Sequence, residues 1–153
     1  MRKRTSRRVY PLINSVAMAI CGAAITDTAS LDKLRMLELQ ALESFRLGQA
    51  TKRDWDHLAD LCNLTETMCQ SGIGPEAMQP CEKAQEALSQ AHRRHVEHGR
   101  IAVSGPELQA LRDVFQWHDL QRTSVARSVY ESAIKLTSNR IRSAHPSLKV
   151  MVI

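Results

Sequence analysis

The chain has 153 residues, a formal net charge of +5 and two each of Trp, Tyr and Phe. That length makes one domain and buries a real core without disulfide or metal staples. A core short of aromatic rings draws on Leu, Ala, Met, Ile and Val, which favours packed helices over sheets.

Charge is unevenly placed. Arg2, Lys3, Arg4, Arg7 and Arg8 open the chain, and Lys135, Arg140, Arg142 and Lys149 follow the last acid, Glu131. Between them the balance is mildly acidic, so an acidic body carries two basic ends, a footprint of nucleic-acid backbone or acidic-partner binding. The first thirty residues also imitate an export signal, with a basic start and an apolar run from Val16 to Ile25. Pro11, Asn14, Ser15 and Gly22 interrupt that run, and about 20 apolar residues would be needed to span a membrane. The preferred reading is a disordered basic arm over 1–11, a helical domain over 12–143 beginning with an extended segment and a short apolar helix, and a tail over 144–153. An exported protein with a cleaved signal is the competing reading.

The elements follow in order. Ser30 caps a helix over about 31–47, with Leu31, Leu34, Ala41, Leu42 and Phe45 on its apolar face and Gly48 past its end. Thr51 and Asp54 form a box-like cap for a second helix, whose stripe is Trp55, Leu58, Ala59, Cys62, Thr65, Met68 and Cys69. The short connection predicts that these two helices lie antiparallel. Pro75 introduces a third helix with Ala77, Cys81, Ala84, Leu88, Ala91 and His95 along one side, ended by Gly99. Ser104-Gly105-Pro106-Glu107 is a capping box with proline in the first turn. From there Leu108, Leu111, Phe115, His118, Arg122, Val125, Val129, Ala133 and Leu136 make one long stripe. A helix over 105–142 would run roughly 57 Å, longer than helices one to three can cover. Either it breaks near Arg122–Ser124, or residues 12–25 fold back over its second half, or a second copy covers it as a homodimer. The expected fold is an all-α antiparallel bundle of about four helices with a long C-terminal helix and a basic N-terminal arm.

Few constellations carry chemistry. Cys21, Cys62, Cys69 and Cys81 include no CxxC pair, so a structural zinc is not expected and a reducing, cytoplasmic setting fits. His92, His95 and His98 are the weak candidates for a metal, but together they fan over too much of a helix surface to share one ion. His118-Asp119 resembles the HD pair of metal-dependent phosphohydrolases, yet adjacent helical residues diverge by about 100°. No cofactor is implied, and no phosphate loop, nucleophile elbow or HExxH occurs.

The segments RKRTSRRVYP, GQATKRDWDHL, TETMCQSGIG and SGPELQALRDVFQWHDLQ resemble a group of small helical proteins encoded in bacterial phages and other mobile elements. Gly48, Ala50, Thr51, Asp54, Gly105, Glu107, Leu108, His118 and Asp119 carry the pattern. The resemblance implies an intracellular protein and no particular activity. The expected function is that of a non-enzymatic accessory or regulatory protein acting by binding. Its partner is a host or phage protein, or nucleic-acid backbone held by Arg2, Lys3, Arg4, Arg7, Arg8, Lys135, Arg140 and Arg142. His118 and Asp119 are the candidate polar site. The alternative from another class is a metal-dependent enzyme built on His118, Asp119 and the His92/His95/His98 cluster.

Overall fold

A computed structural model of the chain describes residues 28–144; the basic arm, the segment over 12–25 and the tail from 145 lie outside the described residues. Among the described residues there are five α-helices, one short 3-10 turn and no strand. The helices are α1 (Thr28–Arg46), α2 (Lys52–Gln70), α3 (Met78–His98), α4 (Gly105–Ser124) and α5 (Arg127–Arg142), with the 3-10 turn Pro75–Ala77 leading into α3. None is long and apolar enough to cross a membrane.

Helix α2 is the axis of the fold. Every residue from Trp55 to Cys69 is buried, around the whole circumference rather than along one stripe. All four other helices pack against it. Its first half shares a core with the end of α1 (Ala41, Leu42, Phe45), with Cys81, Ala84, Ala87, Leu88 and Ala91 of α3, and with Leu111 and Val114 of α4. The alanines on α3 let its backbone come close, and the Trp55 indole donates across the gap to the Leu88 carbonyl at 3.1 Å. The second half of α2 (Leu64, Met68) shares a smaller core with Tyr130, Ala133 and Ile134 of α5, against which Leu31 and Leu34 pack. The start of α1 thus lies by the end of α2, so the two run antiparallel.

Both expected capping boxes form. The Thr51 amide donates to Asp54 Oδ2 at 2.8 Å, and the Ser104 amide donates to Glu107 Oε2 at 2.8 Å, with the reciprocal amide-to-hydroxyl bond in each box. Glu107 does more than cap. Arg94 of α3 grips its carboxylate with two bonds of 2.6 and 2.9 Å and also donates to the Ala102 carbonyl, so one side chain starts α4 and pins it to the end of α3. At Gly74, φ is +56°, and an added Cβ would stand 3.1 Å from the Gln121 side chain, so the turn before α3 requires glycine for both conformation and space.

Two expectations change. Helix α1 begins at Thr28, so Ser30 lies inside it rather than capping it. The single long C-terminal helix does not form: Val125 and Ala126 are extended, and the chain resumes as α5. The physical reason is local. Thr123 and Ser124 turn their hydroxyls back onto the carbonyls of Asp119 and Gln121, and a β-branched Val follows. The break resets the helical phase. Tyr130, Ala133, Ile134 and Thr137 become the buried face of α5, whereas Val129 and Leu136, expected on the stripe, are exposed. The expected break forms, just beyond the expected place; the segment 12–25, expected to fold back over the second half, lies outside the described residues.

The Ser104→Ala variant should lose about 1 kcal/mol of stability, the usual worth of an N-cap. Glu107→Ala should lose more, because the Arg94 link goes with the cap. Urea unfolding of both variants checks this; equal losses would mean that the Arg94 contact contributes nothing.

Candidate functional site

The candidate pair His118-Asp119 sits in the middle of α4, and its two side chains diverge. His118 points inward and is fully buried. Its Nδ1 lies 3.1 Å from Thr65 Oγ1 and 3.4 Å from Gln121 Oε1, and its Nε2 lies 3.0 Å from the Tyr130 hydroxyl. Proton counting fixes the tautomer. The Thr65 hydroxyl spends its one hydrogen on the Leu61 carbonyl at 2.8 Å, so towards His118 it accepts. Nδ1 therefore carries the hydrogen, and Nε2 accepts from Tyr130. Burial, reinforced by the nearby Arg122 charge, holds the imidazole well below the usual histidine range. His118 is a neutral imidazole with both nitrogens occupied.

Gln121 extends this network. Its amide nitrogen donates to the Ile73 carbonyl at 2.9 Å and lies 3.3 Å from Cys69 Sγ. The Cys69 thiol donates to the Gly74 carbonyl at 3.3 Å, and burial pushes it up to about 11, so it stays an unreactive thiol. One histidine and one glutamine on α4 thereby fasten α2, α5 and the turn before α3.

Asp119 faces the other way, towards α1. It accepts from Arg35 at 2.9 Å and from Arg122 Nε at 2.9 Å. Arg122 in turn closes a two-bond pair with Glu38 at 3.0 and 2.6 Å, and both partners are almost wholly buried. The guanidinium also lies 5.8 Å from the centre of the Phe115 ring. Burial raises the Glu38 carboxyl above its ordinary range more than Arg122 lowers it. This is an ion pair held by the fold and tied to α1, rather than a charge waiting for a ligand.

The histidines of α3 separate as well. His92 is half-buried, its ring tilted against Trp55 at 6.4 Å; His95 is half-buried with Nδ1 lacking a hydrogen bond; His98 is exposed, 3.7 Å from the Glu97 carboxylate. Neither these nor His118 and Asp119 come together, and among the described residues no group of three His, Cys, Asp or Glu side chains is arranged to hold a metal ion.

The basic residues of α5 divide. Lys135 and Arg142 are exposed, two turns apart along one line of the helix. Arg140 turns inward, donating to the Asn63 carbonyl and to Gln70 Oε1, both at 3.2 Å, with Glu66 at 3.7 Å. Arg2, Lys3, Arg4, Arg7 and Arg8 lie outside the described residues. Sequence reasoning passed over Glu38, Tyr130 and Gln121. Glu38 was detectable: it stands between Leu34 and Ala41 on the apolar face of α1, where an acid demands a buried cation.

Comparison with protein-family models, curated proteins and solved structures finds no match for this chain.

Two outcomes are expected. Because the folded His118 value is depressed, the unfolded chain binds the extra proton; stability is full above about pH 6.5 and is lost as the pH falls from there towards the folded value. Wild-type stability should fall between pH 6.5 and 5 by up to about 1.4 kcal/mol per pH unit more steeply than in His118→Gln. His57, depressed mainly by burial, adds to the slope of both proteins. Separately, Glu38→Ala or Arg122→Ala should cost about 3–5 kcal/mol by stranding a buried charge, while Glu38→Leu with Arg122→Met should restore most of it. Denaturant unfolding of the two singles and the double decides.

Proposed function

We propose that this is a non-enzymatic, cytoplasmic accessory protein of a mobile element that acts by binding. Its target is a polyanionic surface, nucleic-acid backbone above all, gripped by the basic arm together with Lys135 and Arg142. The observation that carries the reading is the contrast between the two kinds of polar group. His118, Asp119, Gln121 and Arg122 are all consumed by contacts within the fold. Lys135 and Arg142 project from the outer side of α5, beyond the last acid of the sequence. Unlike Arg140, neither makes an ion pair among the described residues. Two such cations and five on the arm suit backbone phosphates, whose affinity comes from counterion release and not from base reading. The few aromatic residues speak against stacking on single strands.

A second reading keeps the bundle and adds a homodimer. Val129 and Leu136 are 39% and 51% exposed and lie two turns apart on α5, a short apolar line suited to a second copy. In this form the two α5 helices would bring four basic side chains into one surface.

Fluorescence anisotropy with a short DNA duplex across a salt series tests the first reading. Each phosphate contact contributes about 0.9 to the slope of log affinity against log salt. Lys135→Gln with Arg142→Gln should lower that slope by about 2, and deletion of residues 2–8 should abolish most binding. Unchanged affinity in the deletion variant overturns the proposal. Light scattering of the eluted protein, with Val129→Ser/Leu136→Ser as comparison, decides the dimer.

A further inference from the structure

Helix α1 is apolar on both sides. Its inner face packs Leu34, Ala41, Leu42 and Phe45 into the bundle. Its outer face carries Met36, Leu39 and Leu47, which are 54%, 44% and 51% exposed. The other large apolar side chains that reach solvent among the described residues stand singly or as a pair, Val96 on α3, Leu120 on α4 and Val129 with Leu136 on α5. A helix with apolar groups on both faces packs on both, and the outer face of α1 finds no cover among the described residues.

The charges around these side chains indicate what the cover is. Asp32 and Arg46 each stand seven residues from Leu39, one before it and one after. Seven residues are two turns, so acid, leucine and base lie on one line of the helix, each end about 10 Å from the middle. Met36 and Glu43 form the neighbouring line, with Lys33 on its flank. Asp32, Lys33, Glu43 and Arg46 are all exposed. Their printed contacts are local, Arg35 to Asp32 at 3.5 Å and Arg46 to Glu43 at 2.5 and 2.8 Å, and surface pairs of this kind hold little free energy against a better partner. A line that is acidic at one end and basic at the other complements itself when reversed.

We propose that the outer face of α1 is a contact between two copies of this chain, packed antiparallel about a two-fold axis at Leu39. Leu39 then meets Leu39 of the second copy, since a residue on the axis of such a contact pairs with itself. Asp32 faces Arg46 of the second copy at both ends, and Lys33 comes within reach of its Glu43. Met36 closes over the centre from each side. A parallel pair would set Asp32 on Asp32 and Arg46 on Arg46, so the charges select the antiparallel one. The contact is one helix laid on another over about 28 Å, which belongs to the small, reversible class of interface. It uses a different helix from the Val129–Leu136 line, and it stands whether or not nucleic acid is bound elsewhere.

Disulfide trapping of the full-length protein tests it, with Cys21→Ser in every variant and with Cys62, Cys69 and Cys81 buried. Under mild oxidation Leu39→Cys should give a covalent dimer rapidly. Leu47→Cys should not, because its distance from the axis puts the two introduced thiols roughly 24 Å apart. Leu120→Cys, 61% exposed on α4, sets the rate of chance collision. Trapping of Leu39→Cys no faster than of these two overturns the proposal. Sedimentation equilibrium at concentrations up to about 1 mM reads the charges. Asp32→Arg and Arg46→Asp should each weaken association by about tenfold, because like charges then meet at both ends. Mixing the two variants should restore it, since each meets opposite charge on the other; damage to the fold of either would persist in the mixture. Association unaltered by both changes, or wild-type protein that stays monomeric throughout, overturns the proposal. So does association lost only in Val129→Ser/Leu136→Ser, which would assign the dimer to α5.

Discussion

A helix buried on every side imposes conditions on all its neighbours. Fifteen consecutive residues of α2 are buried, yet the helix is far from wholly apolar. Here the burial includes Asp56, His57, Asp60, Asn63, Thr65, Glu66 and Thr67. Three of the surrounding helices supply complementary polar groups as well as apolar surface. Helix α4 supplies His118 and Gln121, α3 supplies Gln85, and α5 supplies Thr137, which donates to Thr67 at 2.8 Å, and Arg140. A wrong register of any helix around α2 would strand one of these groups at a cost of about 1–3 kcal/mol. The polar contacts thus choose the arrangement, while the Leu and Ala contacts supply most of the driving force.

The same logic accounts for the pair Glu38–Arg122. An apolar pair of similar volume would hold α1 to α4 nearly as firmly. What the ion pair adds is orientation, because two parallel bonds with Asp119 on the third nitrogen fit one geometry only. With His118 pointing to α5 and Asp119 to α1, consecutive residues of α4 address opposite flanks of the bundle. A dipeptide that resembles catalytic machinery in the sequence serves here as a two-sided bracket.

Local signals were well represented in the sequence. The boxes at Thr51 and Ser104, the stop at Gly99 and the stripe of α2 depend on neighbours three or four residues away, and each formed where spacing and cap chemistry placed it. The stripe of α2, however, showed only half of its buried surface, because the periodic pattern marks apolar positions and is silent on buried Asp and Asn. The destination of the second half of the long stripe was misread for a related reason. Two extended residues are a small perturbation in sequence, yet they rotate everything after them, so Tyr130 replaces Val129 as the inward residue. Of the candidate site, His118 was legible as a residue on the packed stripe, and it is buried there. Tyr130 and Gln121 were not legible, since tertiary pairing over 12 to 56 residues of separation leaves no periodic trace.

The break at Val125–Ala126 has one more consequence. A continuous helix would have transmitted rigidity from α4 into the C-terminal turns, but two extended residues make α5 a separately hinged piece. Among the described residues its attachment is a patch of Tyr130, Ala133 and Ile134 with hydrogen bonds from Thr137 and Arg140, set against α2. A unit joined through a break and packed on one neighbour is expected to open below the free energy of global unfolding. When it swings away, Tyr130 leaves with it, and His118 loses the hydroxyl that occupied its Nε2. The imidazole is then uncovered for protonation, which opposes reclosure. Detachment of the last helix and charging of the central histidine are accordingly two faces of one local equilibrium.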